Sequence, residues 1–380
     1  MTQLIPVTVF SLLFAAISHY MSGYDQISGT YQRKERLFYI LTIVTLTLFS
    51  GLRLSYNDTS AYRHIYATIV KTMPQNNTLF GGIEWLKIGE NPGFIFIMRV
   101  LAKLGFSVQS FMMIFAAFTV GVNIWFFRKY SCHFFISVLL FVTFAGYTFS
   151  LAAVKQCAAM AICLIATDRV IRKKYVRFLL LVLIACTVHP YALMYLVVPF
   201  LFFRPWSQFT ILLLILFGII GVSMQSLVGS LLSVTAMLGE NYDANAFTGE
   251  GVNPIRLLVT AVPAGLSLLN AETIRRNEER DQYAMVNLTM LNAEIMFVAL
   301  FGTANFFARL ANYFIPFQAV SLPWLFKQFE FGSKRTITVL ASSAYLLFFI
   351  YSFAINENFD MNYSNMSLLE YIRSLLGGVL

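Results

Sequence analysis

Charged side chains are scarce in this 380-residue chain, and a few stand where capping or chemistry must account for them. Arg53 and Asp58 share the stretch Gly51-Leu-Arg-Leu-Ser-Tyr-Asn-Asp-Thr-Ser-Ala-Tyr62, with Asn57 and Tyr62 beside them. Lys155-Gln156 opens an apolar run, and Arg309 lies with Asn312 and Tyr313 in Phe306-Phe-Ala-Arg-Leu-Ala-Asn-Tyr-Phe314. Arg256 heads another apolar run, behind Glu240, Asp243 and Glu250. An arginine facing lipid at the bilayer centre costs at least ~2.5 kcal/mol, so Arg309 is expected to face a polar cavity. The planar fork of arginine binds phosphate oxygens in pairs, so Arg53, Lys155, Arg309 and Arg256 suit a phosphate-bearing ligand. Asp58, Glu90 and His189 are the groups fit to take a proton from a hydroxyl nucleophile.

Each residue also has a plainer reading. Asp58 suits the cap of a helix starting at 59, and Lys155 can snorkel to the membrane surface. Glu90, just before Pro92-Gly93, suits a helix start. His189 can satisfy a helix broken at Pro190. Grammar for soluble catalysis is missing: there is no Gly-Lys-Ser phosphate loop, Gly-x-Ser-x-Gly elbow, His-Glu-x-x-His or Asp-x-Asp.

The elements that must position these groups follow from composition. Hydrophobic residues are 58% and charged residues 12%, whereas a soluble domain needs roughly a quarter of its residues charged. Apolar runs of about 20 residues recur throughout, matching the ~30 Å hydrocarbon thickness, and in lipid such runs must be helices. Spans are expected near 4–21, 36–52, 106–127, 133–150, 151–168, 176–203, 208–238, 255–271, 284–303, 304–327 and 336–355. The 176–203 run is expected to break at His189-Pro190 and the 208–238 run at Gly221–Ser223, with three crossings between them. The expected fold is an all-α polytopic membrane protein of about 12 transmembrane helices, a single domain over residues 1–380. The segment 91–104 is too short to cross and carries Arg99 and Lys103, so it is expected to lie in the interface. Cys132, Cys157, Cys163 and Cys186 lack metal-ligand spacing and read as small buried hydrophobes. No metal and no cofactor are expected.

The net charge of +9 reflects the positive-inside rule rather than a nucleic-acid partner. The loop Arg169-Val-Ile-Arg-Lys-Lys-Tyr-Val-Arg177 is placed in the cytoplasm, with Arg33-Lys34, Arg128-Lys129, Arg275-Arg276 and Lys334-Arg335. Loops 53–92 and 231–254, turns near Ser150 and 303–305, and the tail 356–380 then fall outside. A bacterial inner membrane is the expected setting. The cations singled out above all fall on the outer side, which predicts an outward-opening cationic cavity suited to a lipid-linked pyrophosphate.

Five pieces in order along the chain carry a resemblance: Gly51-Leu-Arg53 with Asn57-Asp58-Thr59 and Tyr62; Glu90-Asn-Pro-Gly93-Phe94; Lys155-Gln156; His189 with Tyr191-Ala192; and Arg309 with Tyr313-Phe314. The chain resembles the EpsG-like group of Wzy-type polysaccharide polymerases, departing from it in Lys155, where Arg is usual, and in Pro190. The resemblance implies a GT-C-like, metal-independent membrane glycosyltransferase. Its donor and acceptor would be oligosaccharide repeat units on undecaprenyl pyrophosphate, joined on the periplasmic or outer face into O-antigen, capsule or exopolysaccharide. It further implies that Arg53, Lys155 and Arg309 bind pyrophosphate, with Gln156, Arg256, Asn57, Tyr62 and Tyr313 as further substrate contacts. Asp58 leads His189 and Glu90 as the base, because it shares a segment with Arg53. A chain-length regulator is admitted as a partner. The competing readings are a lipid-linked-oligosaccharide flippase or transporter, disfavoured by the lack of internal repeats, and an O-antigen-ligase-like transferase.

The orientation has a direct check. A topology reporter fused after Arg172 is expected to report cytoplasm, and one fused after Phe247 the outer side; the reverse pattern would overturn the assignment.

Overall fold

The computed structural model describes residues 3–22, 24–25, 30–31, 33–76, 78–237, 252–301, 304–356 and 361–363. These residues pack as two compact units, Met1–Tyr195 with Leu346–Leu380, and Leu196–Tyr345. Almost all regular structure is helical, as lipid demands of a backbone that cannot reach water. Val108–Tyr130 and Gly332–Ala354 are each long and apolar enough to cross a membrane. Phe134–Thr143 and Gly146–Ala152, bent by 48°, make a third candidate together. Leu4–Tyr20, Tyr175–Val188, Gln208–Ser223 and Pro254–Leu269 are shorter apolar helices. The architecture is that of an all-α membrane protein.

The first unit contains α1 (Leu4–Tyr20), α2 (Arg33–Gly51), α3 (Thr59–Asn76), α4 (Pro92–Lys103) and α5 (Val108–Tyr130). It continues with α6 (Phe134–Thr143), α7 (Gly146–Ala152), α8 (Val154–Ile171) and α9 (Tyr175–Val188). The chain α1–α2–α5–α8–α9 packs in succession, while α3 lies on α4 and α4 on α9. A two-residue ribbon, β1 (Tyr24–Asp25) with β2 (Thr30–Tyr31), joins α1 to α2. A second pairs β3 (Arg53–Ser55) with β4 (Asn362–Tyr363), so the tail returns to the Arg53 segment. Met361 N–H also donates to Gln3 Oε1 at 3.1 Å, tying the tail to the start of α1.

Charge separates the two ends of this unit. At one end Glu35 of α2 pairs with Arg128 of α5, and Asp168 of α8 pairs with Lys129. Arg169 and Arg172 approach Asp168 at 3.4 and 3.3 Å, and the Tyr130 hydroxyl donates to it at 2.6 Å. The C-terminal end of α2 and the N-terminal ends of α5 and α8 lie at the other end. Four basic side chains thus share two nearly inaccessible carboxylates, which compensates the charge of the basic end.

The second unit holds α10 (Gln208–Met237), α11 (Pro254–Leu269), α12 (Ala271–Arg276), α13 (Arg280–Val298), α14 (Ala304–Asn312) and α15 (Ile315–Lys327). The unit boundary at Tyr345 falls inside α16 (Phe331–Ile350). α13 is the central helix, packed against α10, α11, α14 and α15.

Several expected boundaries move. The turn expected near Ser150 falls at Ala153, whose backbone leaves the helical region between α7 and α8, while Ser150 lies inside α7 with its hydroxyl donating to Tyr147 O at 2.6 Å. The break expected at Gly221–Ser223 does not occur, since α10 runs unbroken from Gln208 to Met237. Gly218 serves close packing, since a Cβ there would meet Glu294 Oε1 at 2.7 Å, while a Cβ on Gly221 would make only ordinary contact with Val298 at 3.5 Å. The span expected over 304–327 is divided at Tyr313-Phe314, ahead of Pro316 in the first turn of α15. By contrast His189-Pro190 does end α9, and Pro190–Leu201 continues as a 3₁₀ segment. α4 is 12 residues long, shorter than a span requires, and buries Pro92, Gly93, Phe94 and Met98. Most of the 231–254 loop and the 368–376 stretch lie outside the described residues.

Gly93 fixes where α4 docks. A Cβ there would sit 2.1 Å from Thr187 Oγ1 and 3.1 Å from the Thr187 backbone carbon. Gly93→Ala is expected to lose about 1–3 kcal/mol through overpacking, seen as a lower melting temperature of the purified protein; an unchanged melting temperature would contradict the close approach.

Candidate active site

Arg53 sits just past the C-terminal end of α2, and its side chain is 1% exposed. Gly51 allows α2 to reach α5 there, because a Cβ would lie 2.5 Å from Met113 Sδ. The Arg53 guanidinium donates from Nε to Thr59 Oγ1 at 3.0 Å and from one terminal nitrogen to the carbonyl and hydroxyl of Ser50. Thr59 passes the connection on, donating to Leu151 O at 3.3 Å at the end of α7. Val154, Lys155, Gln156 and Cys157 form the first turn of α8 two residues beyond, and the Arg53 charge reaches Cys157. Arg53 and the Lys155-Gln156 pair are therefore brought to one place. Gln156 is buried and Lys155 half-buried.

A second set of contacts draws in the remaining pieces. The Tyr62 ring meets Phe94 edge-on, centroids 5.8 Å apart, and Phe94 meets Phe115 at 5.3 Å. Tyr66 stacks on Phe111 at 4.5 Å and donates its hydroxyl to Phe106 O at 2.9 Å. Aromatic pairs of this kind knit α3, α4 and α5 into one layer. Gly93 then presses on Thr187, two residues before His189. His189 is 6% exposed, caps α9 through its N–H to Ala185 O at 2.9 Å, and meets the Tyr191 ring at 4.8 Å. Four of the five pieces singled out in the sequence thus converge on the end of the first unit opposite its ion-paired basic end.

Asp58 and Glu90 are both exposed at this end. Asp58 takes the cap position of α3 with its backbone carbonyl, which accepts from Tyr62 N–H at 3.1 Å. Glu90 approaches Lys87 Nζ at 3.8 Å on the surface. Asn57 and Asn91 adopt φ of 44° and 55°, left-handed conformations that asparagine tolerates better than most residues. Their place in the motifs is accounted for by backbone shape.

Arg63 escaped the sequence reading. It lies one turn beyond Thr59 on α3 and donates to Gln109 Oε1 at 2.8 Å, while Gln109 donates onward to Gly51 O. Burial holds its basicity below the usual arginine value. The i, i+4 spacing from Thr59 was the available signal, masked by the polar character of the helix.

The fifth piece lies in the second unit. Arg309 is exposed on α14, while Asn312 and Tyr313 are buried. Arg256, in the first turn of α11, donates to Asn312 Oδ1 at 2.9 Å and so holds the end of α14. Among the described residues no three of His, Cys, Asp and Glu gather as a metal-ligand group.

The EpsG family model matches residues 36–372. The chain belongs to the EpsG family. The match covers both units and all five sequence pieces, and the family is that of Wzy-type polysaccharide polymerases. Neither the curated proteins nor the solved structures compared with the chain match it.

Thr59 is the link between Arg53 and α7. Thr59→Val removes the acceptor for Arg53 Nε and the donor to Leu151 O, leaving a buried charged donor short of one partner. A loss of about 1–3 kcal/mol is expected, read as lowered thermal stability, with recovery in Thr59→Ser. Equal stability of the Val and Ser variants would show that the link carries no weight.

Proposed function

We propose that this EpsG-family protein polymerises oligosaccharide repeat units carried on undecaprenyl pyrophosphate into a surface polysaccharide. The reaction is placed at the outer face of a bacterial inner membrane, within a fold of about 12 crossings and GT-C-like arrangement. The observation that carries this reading is the convergence of Arg53, Lys155-Gln156, the Tyr62–Phe94 contact and His189 at the end of the first unit opposite its basic, ion-paired end. By the positive-inside rule the basic end faces the cytoplasm, which turns the convergent end outward.

In the proposed reaction the bond from the donor sugar's anomeric carbon to pyrophosphate breaks as a glycosidic bond forms to the acceptor hydroxyl. The hydroxyl proton passes to a base, and the pyrophosphate leaves with its lipid. A cation beside the leaving group stabilises its growing charge, the role proposed for Lys155; Arg309 and Arg256 of the second unit are proposed as further substrate-binding cations. Arg53 is buried and bonds through Nε and one terminal nitrogen to Thr59 and Ser50, so its proposed part is to hold the α2–α3 turn and add positive potential. Asp58 is the proposed base; it is exposed and sits on the turn that Arg53 anchors, with Glu90 and His189 as the competing candidates.

Purified protein incubated with its lipid-linked repeat unit is expected to yield a ladder of glycans with release of undecaprenyl pyrophosphate. Persistence of intact substrate would refute polymerisation. Arg309→Ala is expected to abolish the ladder at unchanged melting temperature, because the side chain is exposed. Arg53→Ala is expected to abolish it together with a lowered melting temperature. Full activity in both variants would overturn the roles proposed for these two arginines.

A further inference from the structure

The second unit has a cavity that the proposed reaction does not use. It measures about 320 Å³ and is lined by Phe202, Phe203, Arg204, Glu278, Arg280 and Tyr283. Three charged side chains border one space, and among the described residues none of the three makes an ion pair. The neighbouring Arg276 shows the usual alternative, meeting Glu272 at 2.6 Å.

The walls are held from behind by buried groups. Asn287 of α13 donates to both Leu201 O and Phe203 O at 2.8 Å, which fixes the loop carrying Phe202, Phe203 and Arg204. Trp206, in a left-handed conformation with φ 60°, donates from its indole to Ser267 Oγ at 3.0 Å. Thr210 Oγ1 donates to Arg204 O at 2.8 Å. On the opposite wall Trp324 donates to Glu279 Oε2 at 2.9 Å and Asn277 to Gln328 Oε1 at 3.1 Å, which fixes the turn carrying Glu278 and Arg280. Two arginines and one glutamate are therefore presented on restrained backbone rather than on a loose loop.

A ligand with only negative charge would meet Glu278 as a repulsion. A ligand carrying both a phosphate and an amine would satisfy all three groups, the phosphate between the guanidinium forks and the ammonium on the carboxylate. Phe203 is 45% exposed and Phe200 57% exposed, so apolar surface continues outward beside the charges. The residues also lie by the basic loop ends Arg275-Arg276 and Lys327, where the inner headgroup layer is expected.

We infer that this cavity binds the phosphoethanolamine-type headgroup of a membrane lipid, with phosphate between Arg204 and Arg280, ammonium at Glu278, and acyl chains along the phenylalanines. The full-length protein is to be reconstituted in nanodiscs containing equal parts phosphatidylethanolamine, phosphatidylglycerol and phosphatidylcholine, then extracted and its retained lipids quantified by native mass spectrometry. The wild type is expected to retain phosphatidylethanolamine preferentially. Glu278→Gln is expected to lower that retention about tenfold while leaving phosphatidylglycerol unchanged, the loss of one charge-assisted contact. Arg204→Ala with Arg280→Ala is expected to lower both. Wild-type retention that does not distinguish the three lipids, or variants that retain like wild type, would overturn the proposal. Soluble phosphorylethanolamine is expected not to displace the lipid; displacement would reassign the cavity to a free phosphoamine and overturn the lipid assignment.

Discussion

A buried arginine at a helix end organises the first unit. Arg53 gives up its water shell almost completely, which is tolerable only because its donors meet Thr59 and Ser50. Those contacts close the turn between α2 and α3, and Thr59 extends the closure to α7. Removing the arginine would withdraw the side-chain link between the end of α2, the start of α3 and, through Thr59, the end of α7. The interaction is expensive to break for the reason it is effective: either half left alone is a desolvated polar group. Local geometry over some hundred residues is thereby tied to one side chain.

The same logic divides the motif residues into two kinds. Gly51 and Gly93 are where the chain passes so close to Met113 and Thr187 that a Cβ would crowd their side chains. Asn57 and Asn91 are where the chain must turn with positive φ. Tyr62 and Phe94 are ring partners. These residues build the platform, and their presence in a motif needs no contact with substrate. Lys155, Asp58 and Arg309 are different, because they retain exposure and so can meet a ligand. The motif pieces of this chain therefore mix residues whose contacts shape the backbone and packing with residues that keep enough exposure to meet a ligand.

The helical class, the short α4, the break at His189-Pro190 and the separation of charge were legible because each follows from one-dimensional quantities: apolar length, proline, and the placement of Lys and Arg. What was not legible depends on partners far along the chain. Gly221 reads as a breaker, yet α10 runs through it to Met237. Ser150 reads as a turn residue until its hydroxyl is found bonded back inside α7. The return of residues 362–363 to pair with Arg53 crosses three hundred positions and leaves no periodic trace. Among the cations, Arg53 and Arg309 look equivalent in sequence, yet one is sealed among protein oxygens and the other is exposed.

That difference bears on how the proposed chemistry can be arranged. A leaving pyrophosphate gains most from cations that are already fixed, since reorganising a long side chain during the reaction costs part of the stabilisation. Arg53 meets the requirement of fixity but not of access, whereas Arg309 is exposed. In the second unit Arg256 occupies a middle position, half-buried and held by Asn312 at 2.9 Å at the end of the helix that carries Arg309. The pairing does for α14 what Arg53 does for α3, using an arginine to hold the end of the short helix whose neighbouring positions carry the exposed charge. An exposed charge on a helix pinned a few residues away has fewer directions to move in than one on a loop. The recurring device is thus a buried polar grip near a cation that retains exposure to a ligand.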